Sequence, residues 1–247
     1  LAIATVTAVV GALAALGEAT MRSLLVFQMV SGIGVILLGA ALFTPLAVTA
    51  AIAYMIHHMI SKASLFLAVG AIEETYGTGR IDELGGLRTR EPLITAAFVV
   101  GALSLVGLPP FSGFVAKVAV VLGAVEAGSA LVAVVVLAVS ALALVAMLLI
   151  WAGVFNGKRN AEVERRAAVA RIRRREGLLD DDAVDDATVE AEVADALERN
   201  DPPRGAVDDD PHDHRGTRIP VALALPAVQL AVVVVALGLG GELLLSG

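Results

Sequence analysis

Cysteine is absent from this 247-residue sequence, and charged side chains are scarce outside one segment. The lack of cysteine excludes disulfides, thiolate metal sites and iron–sulfur clusters. A Walker loop, an HExxH pair, a nucleophile elbow and a strand-borne GxGxxG are also missing. Residues 158–218 hold 12 of the 18 lysines and arginines and 17 of the 25 aspartates and glutamates, so the remaining chain is almost uncharged. The sequence points to no cofactor, no metal and no nucleic-acid partner.

Apolar residues dominate instead. They make up 57% of the chain, and the mean hydropathy is +0.83, whereas a soluble domain is about half apolar. The surplus is gathered into runs near the ~20 residues that cross ~30 Å of hydrocarbon. Helices satisfy their own backbone over such runs, and none of the runs alternates like a barrel strand. The sequence therefore predicts an all-α polytopic membrane protein.

The longest apolar run contains a helix-breaking motif. A straight helix over 93–125 would reach ~50 Å at 1.5 Å per residue, too long for one crossing. Gly107, Pro109 and Pro110 lie in its middle, and proline removes an amide donor and clashes with the preceding turn. We expect a broken helix there, which is tolerated only inside protein or beside a water-filled cavity. The expected organisation is a bundle at 1–157 with spans at about 1–16, 24–43, 46–72, 93–125 and 129–155, a charged insert at 158–218, and a final transmembrane helix at 219–247.

The basic residues predict an orientation in the cell membrane of a prokaryote. Sixteen of the 18 lie on alternate breaks between spans: Arg22, the loop at 73–92, and the insert. By the positive-inside rule this side is cytoplasmic, which places the C-terminus outside. The other two, Lys62 and Lys117, fall near mid-membrane.

The insert begins basic and then turns acidic. Its basic part suits an anionic inner membrane surface, and its acidic part is expected to be partly disordered. A simple spacer is the alternative. We hypothesise from this acidity a salt-rich cytoplasm and a halophilic prokaryote, because salt screens such charge. Stronger aggregation in molar KCl than in low salt would argue against it.

Ionisable residues inside a span are candidate functional residues. Lys62 lies ~15 Å deep, too deep for easy snorkelling, and burial favours the neutral amine, so the side chain could exchange a proton near neutral pH. His58 and Tyr54 lie four and eight residues earlier on the same helix face. Histidine can pass a proton either way. The stripe predicts part of a proton relay, and the alternative is a set of polar residues that hold helices together.

Other polar residues could support this stripe. His57 points ~100° away from it and is expected to pair with Ser61. Gln28 and Ser31 form a modest polar face on the second span, for which hydrogen bonding between helices is an equal explanation.

Lys117 lies seven residues past Pro110, beyond the expected break. Broken helices leave unpaired backbone groups facing a cavity, and such sites recur where ions pass. Ser112 keeps this stretch small and polar. Lys117 could end a half-channel, or it could cap carbonyls that the break frees.

Two stretches, "YMIHHMISKASLFLAVGAIEETYGTGRIDELGGL" and "ALSLVGLPPFSGFVAK", closely resemble the D subunit of Mrp-type cation/proton antiporters. More distantly they resemble the antiporter-like subunits of respiratory complex I and related hydrogenases. The likeness runs through about 1–157, and the final span fits the family's last helix. It implies a subunit of about fourteen helices in two inverted repeats, each with a broken helix. Because the chain opens at Leu1 inside an apolar run, we expect it to be roughly the second, C-terminal half.

The resemblance also implies roles for individual residues. His58 and Lys62 match the family's relay on the helix before the broken helix, and Lys117 matches the lysine on the broken helix near the outward half-channel. The second span departs from the family. Where members often read "FHxISQIGYM", this chain reads "FQMVSGIGVI", so Gln28 replaces a titratable histidine and Gly32 replaces a glutamine. This departure argues against a relay role for that helix.

The function that the resemblance implies is that of a membrane subunit of a multi-subunit Na⁺/proton antiporter. Its partners would be the other subunits of the complex, protons, a monovalent cation and the lipid bilayer. The first alternative is a proton-pumping subunit of a complex I-like NADH/quinone oxidoreductase or membrane hydrogenase. The second is a non-conducting structural or assembly subunit. A transporter subunit is favoured over an enzyme, although the family borders on the NADH–quinone oxidoreductase translocases.

Overall fold

The computed structural model describes residues 1–158, Val163 and 219–245, with side chains described as far as Gly240. The expectations for the insert at 158–218 lie almost entirely outside these residues. Within the described part the chain forms helices and no strand, apart from one isolated bridge between Thr20 and Arg80. The expected all-α class is confirmed. In chain order the helices are α1 (Ala2–Leu16), α2 (Met21–Ala40), α3 (Pro45–Tyr76), α4 (Leu87–Arg90), α5 (Pro92–Val106), α6 (Ser112–Glu126), α7 (Ala130–Ile150, continued by a π-helical turn at Trp151–Phe155) and α8 (Val221–Leu245).

Four described helical segments are long and apolar enough to cross a membrane. They are Met21–Ala40, Pro45–Tyr76, Ala130–Phe155 and Val221–Gly240, and α1 and α5 are shorter apolar helices. Large apolar side chains remain exposed on the outer faces, as at Ile3 and Leu131. Such wide apolar exposure is rare on soluble monomers but suits a surface covered by lipid.

Helix α3 has clear local signals at both ends. The Thr44 hydroxyl accepts a hydrogen bond from the amide of Ala47 at 3.2 Å, and Pro45 occupies the first turn, where its missing N–H costs nothing. At the other end Gly77 takes the left-handed conformation (φ 71°) that ends many helices. The helix reaches Tyr76, four residues beyond the expected span, because no breaker precedes Gly77.

The expected broken helix is confirmed. Helix α5 ends at Gly107, whose φ of 87° suits glycine, and its amide and that of Leu108 both bond to the carbonyl of Leu103 at 3.0 and 3.1 Å. Pro109 and Pro110 lie in the bend, and α6 begins at Ser112. We call residues 107–111 the bend.

Helix α3 lies at the centre of the bundle, packed against α2, α5, α6 and α8. Two apolar clusters surround it. One contains Ala50 and Tyr54 from its first half, and the other contains Leu65 and residues that follow it. The polar stretch from His57 to Lys62 therefore lies between two apolar layers, away from both ends of the helix.

Helix α8 is fixed to the rest of the bundle by polar contacts as well as packing. Glu91, buried just before α5, accepts hydrogen bonds through Oε1 from the hydroxyl of Tyr76 (2.9 Å) and from the amide of Ile219 (2.8 Å). Further along α8, the buried Ser64 hydroxyl of α3 donates to the carbonyl of Ala227 at 2.9 Å. These contacts set the position of α8 along α3 and α5.

Glu91→Ala is expected to lower the thermal unfolding midpoint of the purified protein. The change removes two buried hydrogen bonds to a carboxylate, and hydrogen bonds to charged groups contribute about 1.5–3 kcal/mol each. Tyr76→Phe is the matched comparison, since it removes one donor and leaves the carboxylate bonded to Ile219. Differential scanning fluorimetry in detergent should give a larger decrease for Glu91→Ala than for Tyr76→Phe, and equal midpoints for the two variants would contradict the role given to Glu91.

Candidate functional site

The polar residues singled out in the sequence come together in the middle of the bundle. All are less than a tenth exposed, although they come from three different helices. The buried set consists of Gln28, Ser31, Tyr54, His57, His58, Ser61, Lys62, Ser112 and Lys117. Polar groups at such positions require partners, so their contacts indicate what the site can do.

Lys62 turns from α3 toward α2. Its Nζ donates to the carbonyl of Leu25 at 3.0 Å. Among the described side chains, neither Lys62 nor Lys117 has a carboxylate within ion-pair distance. Because a permanent buried charge without a counterion is costly, these two amines suit reversible protonation better than fixed charge.

His57 joins α3 to the helix that follows the bend. Its Nδ1 lies 2.8 Å from the hydroxyl of Ser112 and 3.3 Å from that of Ser61, the partner expected from the helical spacing. The hydroxyl of Ser104, at the end of α5, is 3.5 Å from that of Ser112. The sequence does not single out Ser104. Its position in the site arises only because the bend brings the end of α5 beside the start of α6.

His58 faces α2 and fits into a notch there. A Cβ atom on Gly32 would overlap the imidazole ring of His58, so the glycine makes room for it. The ring centroid lies 5.7 Å from that of Tyr54. Within the described part of the chain, Nε2 of His58 and Nε2 of Gln28 are both buried with no hydrogen-bond partner from protein.

A small cavity connects His58 with Lys117. Its volume is about 10 Å³, near the space that one water molecule requires. Residues of α2, α3, α5, α6 and α7 line it, with Ser140 of α7 as a polar contributor that sequence reasoning missed. Lys62 is not among the lining residues, so the stripe of Tyr54, His58 and Lys62 divides here: two of them face the cavity and Lys62 faces α2.

Lys117 meets the freed backbone of the bend. Its Nζ donates to the carbonyl of Val106, the last residue of α5, at 2.7 Å. A continuing helix would supply the amide of residue 110, but Pro110 has no N–H. A Cβ on Gly107 would lie 2.7 Å from Cδ of Lys117, so this glycine leaves room for the lysine stem. The lysine thus caps a carbonyl and lines the cavity at the same time.

Comparison with known proteins assigns the chain to a family. Residues 1–144, more than half of the chain, match the family described as NADH:quinone oxidoreductase/Mrp antiporter, transmembrane. The chain belongs to this family. It is a membrane protein, and the likeness of its sequence to the D subunit of Mrp antiporters is confirmed.

The relatives are longer than this chain. The D subunit of the Na(+)/H(+) antiporter of Alkalihalophilus pseudofirmus is 35% identical over 165 residues, which are 67% of this chain and 34% of that protein. The N subunit of the NADH-quinone oxidoreductase of Desulforudis audaxviator is 37% identical over 132 residues, or 53% of this chain and 26% of that one. A chain of the Mrp complex from Dietzia sp. DQ12-45-1b is 43% identical with a TM-score of 0.74, and the match covers 99% of this chain and 44% of that chain. The chain thus spans less than half the length of each.

Gly32→Ala is expected to slow the transport that the resemblance implies by about 10-fold without unfolding the protein, because the new methyl group displaces the ring of His58 rather than backbone. Gly70→Ala is the control, since a Cβ on Gly70 of α3 meets no atom within 4 Å in the described part of the chain. Initial rates of sodium-driven proton movement in vesicles provide the measurement. Wild-type rates in the Gly32 variant would show that the position of His58 is not critical.

Proposed function

We propose that this protein is a membrane subunit of a multi-subunit Na⁺/proton antiporter, and that its described part conducts protons along Lys62, His58 and Lys117. One observation carries the proposal: among the described residues, two buried lysines have no carboxylate partner, a histidine of the same helix lies one turn from the first lysine, and a cavity extends from that histidine to the second lysine. The names of the antiporter relative and of the Mrp complex support the antiporter branch of the family.

In this mechanism the proton moves between three titratable groups. Lys62 exchanges a proton with His58, which lies one helical turn away. The imidazole can take a proton on one nitrogen and release one from the other. A water in the cavity, within reach of Gln28, would carry the proton on to Lys117. The bonds from His57 to Ser61 and Ser112 form a second branch at the bend.

The helix directions give the order of these residues across the membrane. With the basic side cytoplasmic, α3 runs from outside to inside, so Lys62 lies nearer the cytoplasm than His58 does. Helix α6 runs outward from the bend, and Lys117 lies in its second turn. The order from the cytoplasm is then Lys62, His58, Lys117. The insert would face the cytoplasm and the C-terminus would lie outside, in the cell membrane of a prokaryote.

Two other functions use the same geometry. A redox-driven pump would move protons through the same residues with the energy supplied by other subunits, and the likeness to a subunit of an NADH-quinone oxidoreductase favours it. A non-conducting subunit would use the lysines only to bond the carbonyls of Leu25 and Val106. Coupling to an added cation separates the antiporter from the redox-driven pump.

The experiment is cation-driven proton movement in inverted vesicles. The full complex is expressed in a host without its own antiporters, the membranes are energised with lactate, and a ΔpH-sensitive dye reports the proton gradient. We expect NaCl to dissipate the gradient, whereas choline chloride should not. The absence of a sodium response, together with proton pumping driven by NADH and quinone, would support the redox pump instead.

A further inference from the structure

Helix α8 makes close contact with the backbone of the bend at Gly238. A Cβ atom on this buried glycine would lie 2.6 Å from the amide nitrogen of Ser112 and 2.8 Å from the carbonyl carbon of Phe111, and closer still to the carbonyl oxygen of Pro110. All three atoms belong to backbone, which cannot swing aside like a side-chain end. Two residues further on, a Cβ on Gly240 would meet no atom of the described residues within 4 Å.

The backbone that Gly238 contacts holds the residue bonded to His57. Ser112 is the first residue of α6, and its hydroxyl lies 2.8 Å from Nδ1 of His57. The opposite side of the same turn is equally tight, since a Cβ on Gly113 would overlap the carbonyl of Ser104. Ser112 is therefore held between α5 and α8, with little freedom to move relative to His57.

Two polar contacts oppose a shift of α8 along its axis. Its polar anchors lie upstream, where Glu91 bonds the amide of Ile219 and Ser64 bonds the carbonyl of Ala227. A shift along the helix axis would break both. Volume added at Gly238 therefore presses on the backbone of the bend, and we expect Ser112 to move with it.

We propose that Gly238 is a positioning residue for proton transfer: by letting α8 rest directly on the bend, it holds the Ser112 hydroxyl against Nδ1 of His57. The role in transport rests on the function proposed above. Gly238 brings no chemistry of its own and acts only through Ser112.

The test is a double-mutant cycle on the full complex in inverted vesicles. Gly238→Ala and Ser112→Ala are each expected to lower the sodium-driven rate by about 10-fold and to shift its pH profile in the same direction. The double variant should be no worse than either single variant, because both changes remove one interaction. Gly240→Ala should match wild type. Multiplicative effects of the two changes, or a wild-type profile for Gly238→Ala beside a shifted one for Ser112→Ala, would overturn the proposal.

A second readout does not depend on transport. Solid-state NMR of protein labelled with ¹⁵N-histidine reports the environment of His57 Nδ1, assigned by its loss in His57→Gln. Gly238→Ala should move this signal as Ser112→Ala does, and Gly240→Ala should leave it in place. Should wild type show no sodium response, the proposed antiport fails while this shift still decides the role of Gly238.

Ser64→Ala covers the case in which Gly238→Ala does not assemble. It removes a bond that fixes α8 without adding volume. The proposal expects a smaller displacement of the His57 signal in this variant. An unaltered His57 signal would overturn it.

Discussion

Lys62→Met is expected to reduce sodium-driven proton movement by about 100-fold while the complex stays assembled and as heat-stable as wild type. Methionine keeps most of the stem volume and removes the amine. The carbonyl of Leu25 lies inside α2, where the helix supplies its backbone partner, so no bond essential to the fold is lost. Replacing a buried charge that lacks a counterion with an apolar side chain is often neutral or stabilising.

Lys62→Arg separates proton transfer from helix bonding. Arginine retains the donor to Leu25 but stays protonated in proteins, so it cannot take part in reversible transfer. We expect this variant to be as inactive as Lys62→Met. Vesicle rates, with complex assembly checked on native gels, provide the measurement. Full transport in either variant would leave Lys62 with a structural role and would favour the non-conducting subunit.

Lys117→Ala is expected to reduce transport about as much as Lys62→Met does. Unlike the change at Lys62, it is also expected to destabilise the protein. Its Nζ is the donor to the carbonyl of Val106, for which Pro110 offers no amide. Leaving that carbonyl unpaired costs about 1–3 kcal/mol. The thermal midpoint and the transport rate should therefore both decrease.

Lys117→Arg provides the decisive comparison at this position. It supplies donors to Val106 but no removable proton. We expect the thermal midpoint to recover toward the wild-type value while transport stays lost. If transport recovered together with stability, capping of the bend would be the whole function of Lys117. If neither recovered, native gels would show whether the variant with the larger guanidinium still assembles.

Local sequence patterns were enough to predict the helices and the bend. Apolar run length, the two prolines of the bend and helical spacing depend on neighbours in the chain, and so does the pairing of His57 with Ser61. The division of the stripe between the cavity and α2 could not be predicted, because the carbonyl of Leu25 and the notch at Gly32 belong to another helix. The departure at Gly32 was visible in the sequence, but its complement, the ring of His58, was not.

The residues that sequence reasoning missed all depend on distant packing. Glu91 lies in a charged stretch that resembles a solvated loop, and it is buried because the amide of Ile219, 128 positions later, bonds to it. Ser140 is an isolated hydroxyl in an apolar run until the cavity forms beside it. Gly238 is one of several glycines in α8, and only the proximity of the bend distinguishes it from Gly240.

The attachment of α8 also bears on how this protein can change in length. Lys158, at the start of the charged segment, packs with its carbonyl against Gly85, and the chain re-enters the bundle where Ile219 bonds to Glu91. Residues on both sides of the segment thus contact one short stretch, 85–91, and Val163 also packs in the core. Closing a loop between fixed ends costs only about 0.6 kcal/mol more for each doubling of its length. We therefore expect a reporter domain inserted between Val163 and Ile219 to have little thermodynamic effect on the helices that surround His58.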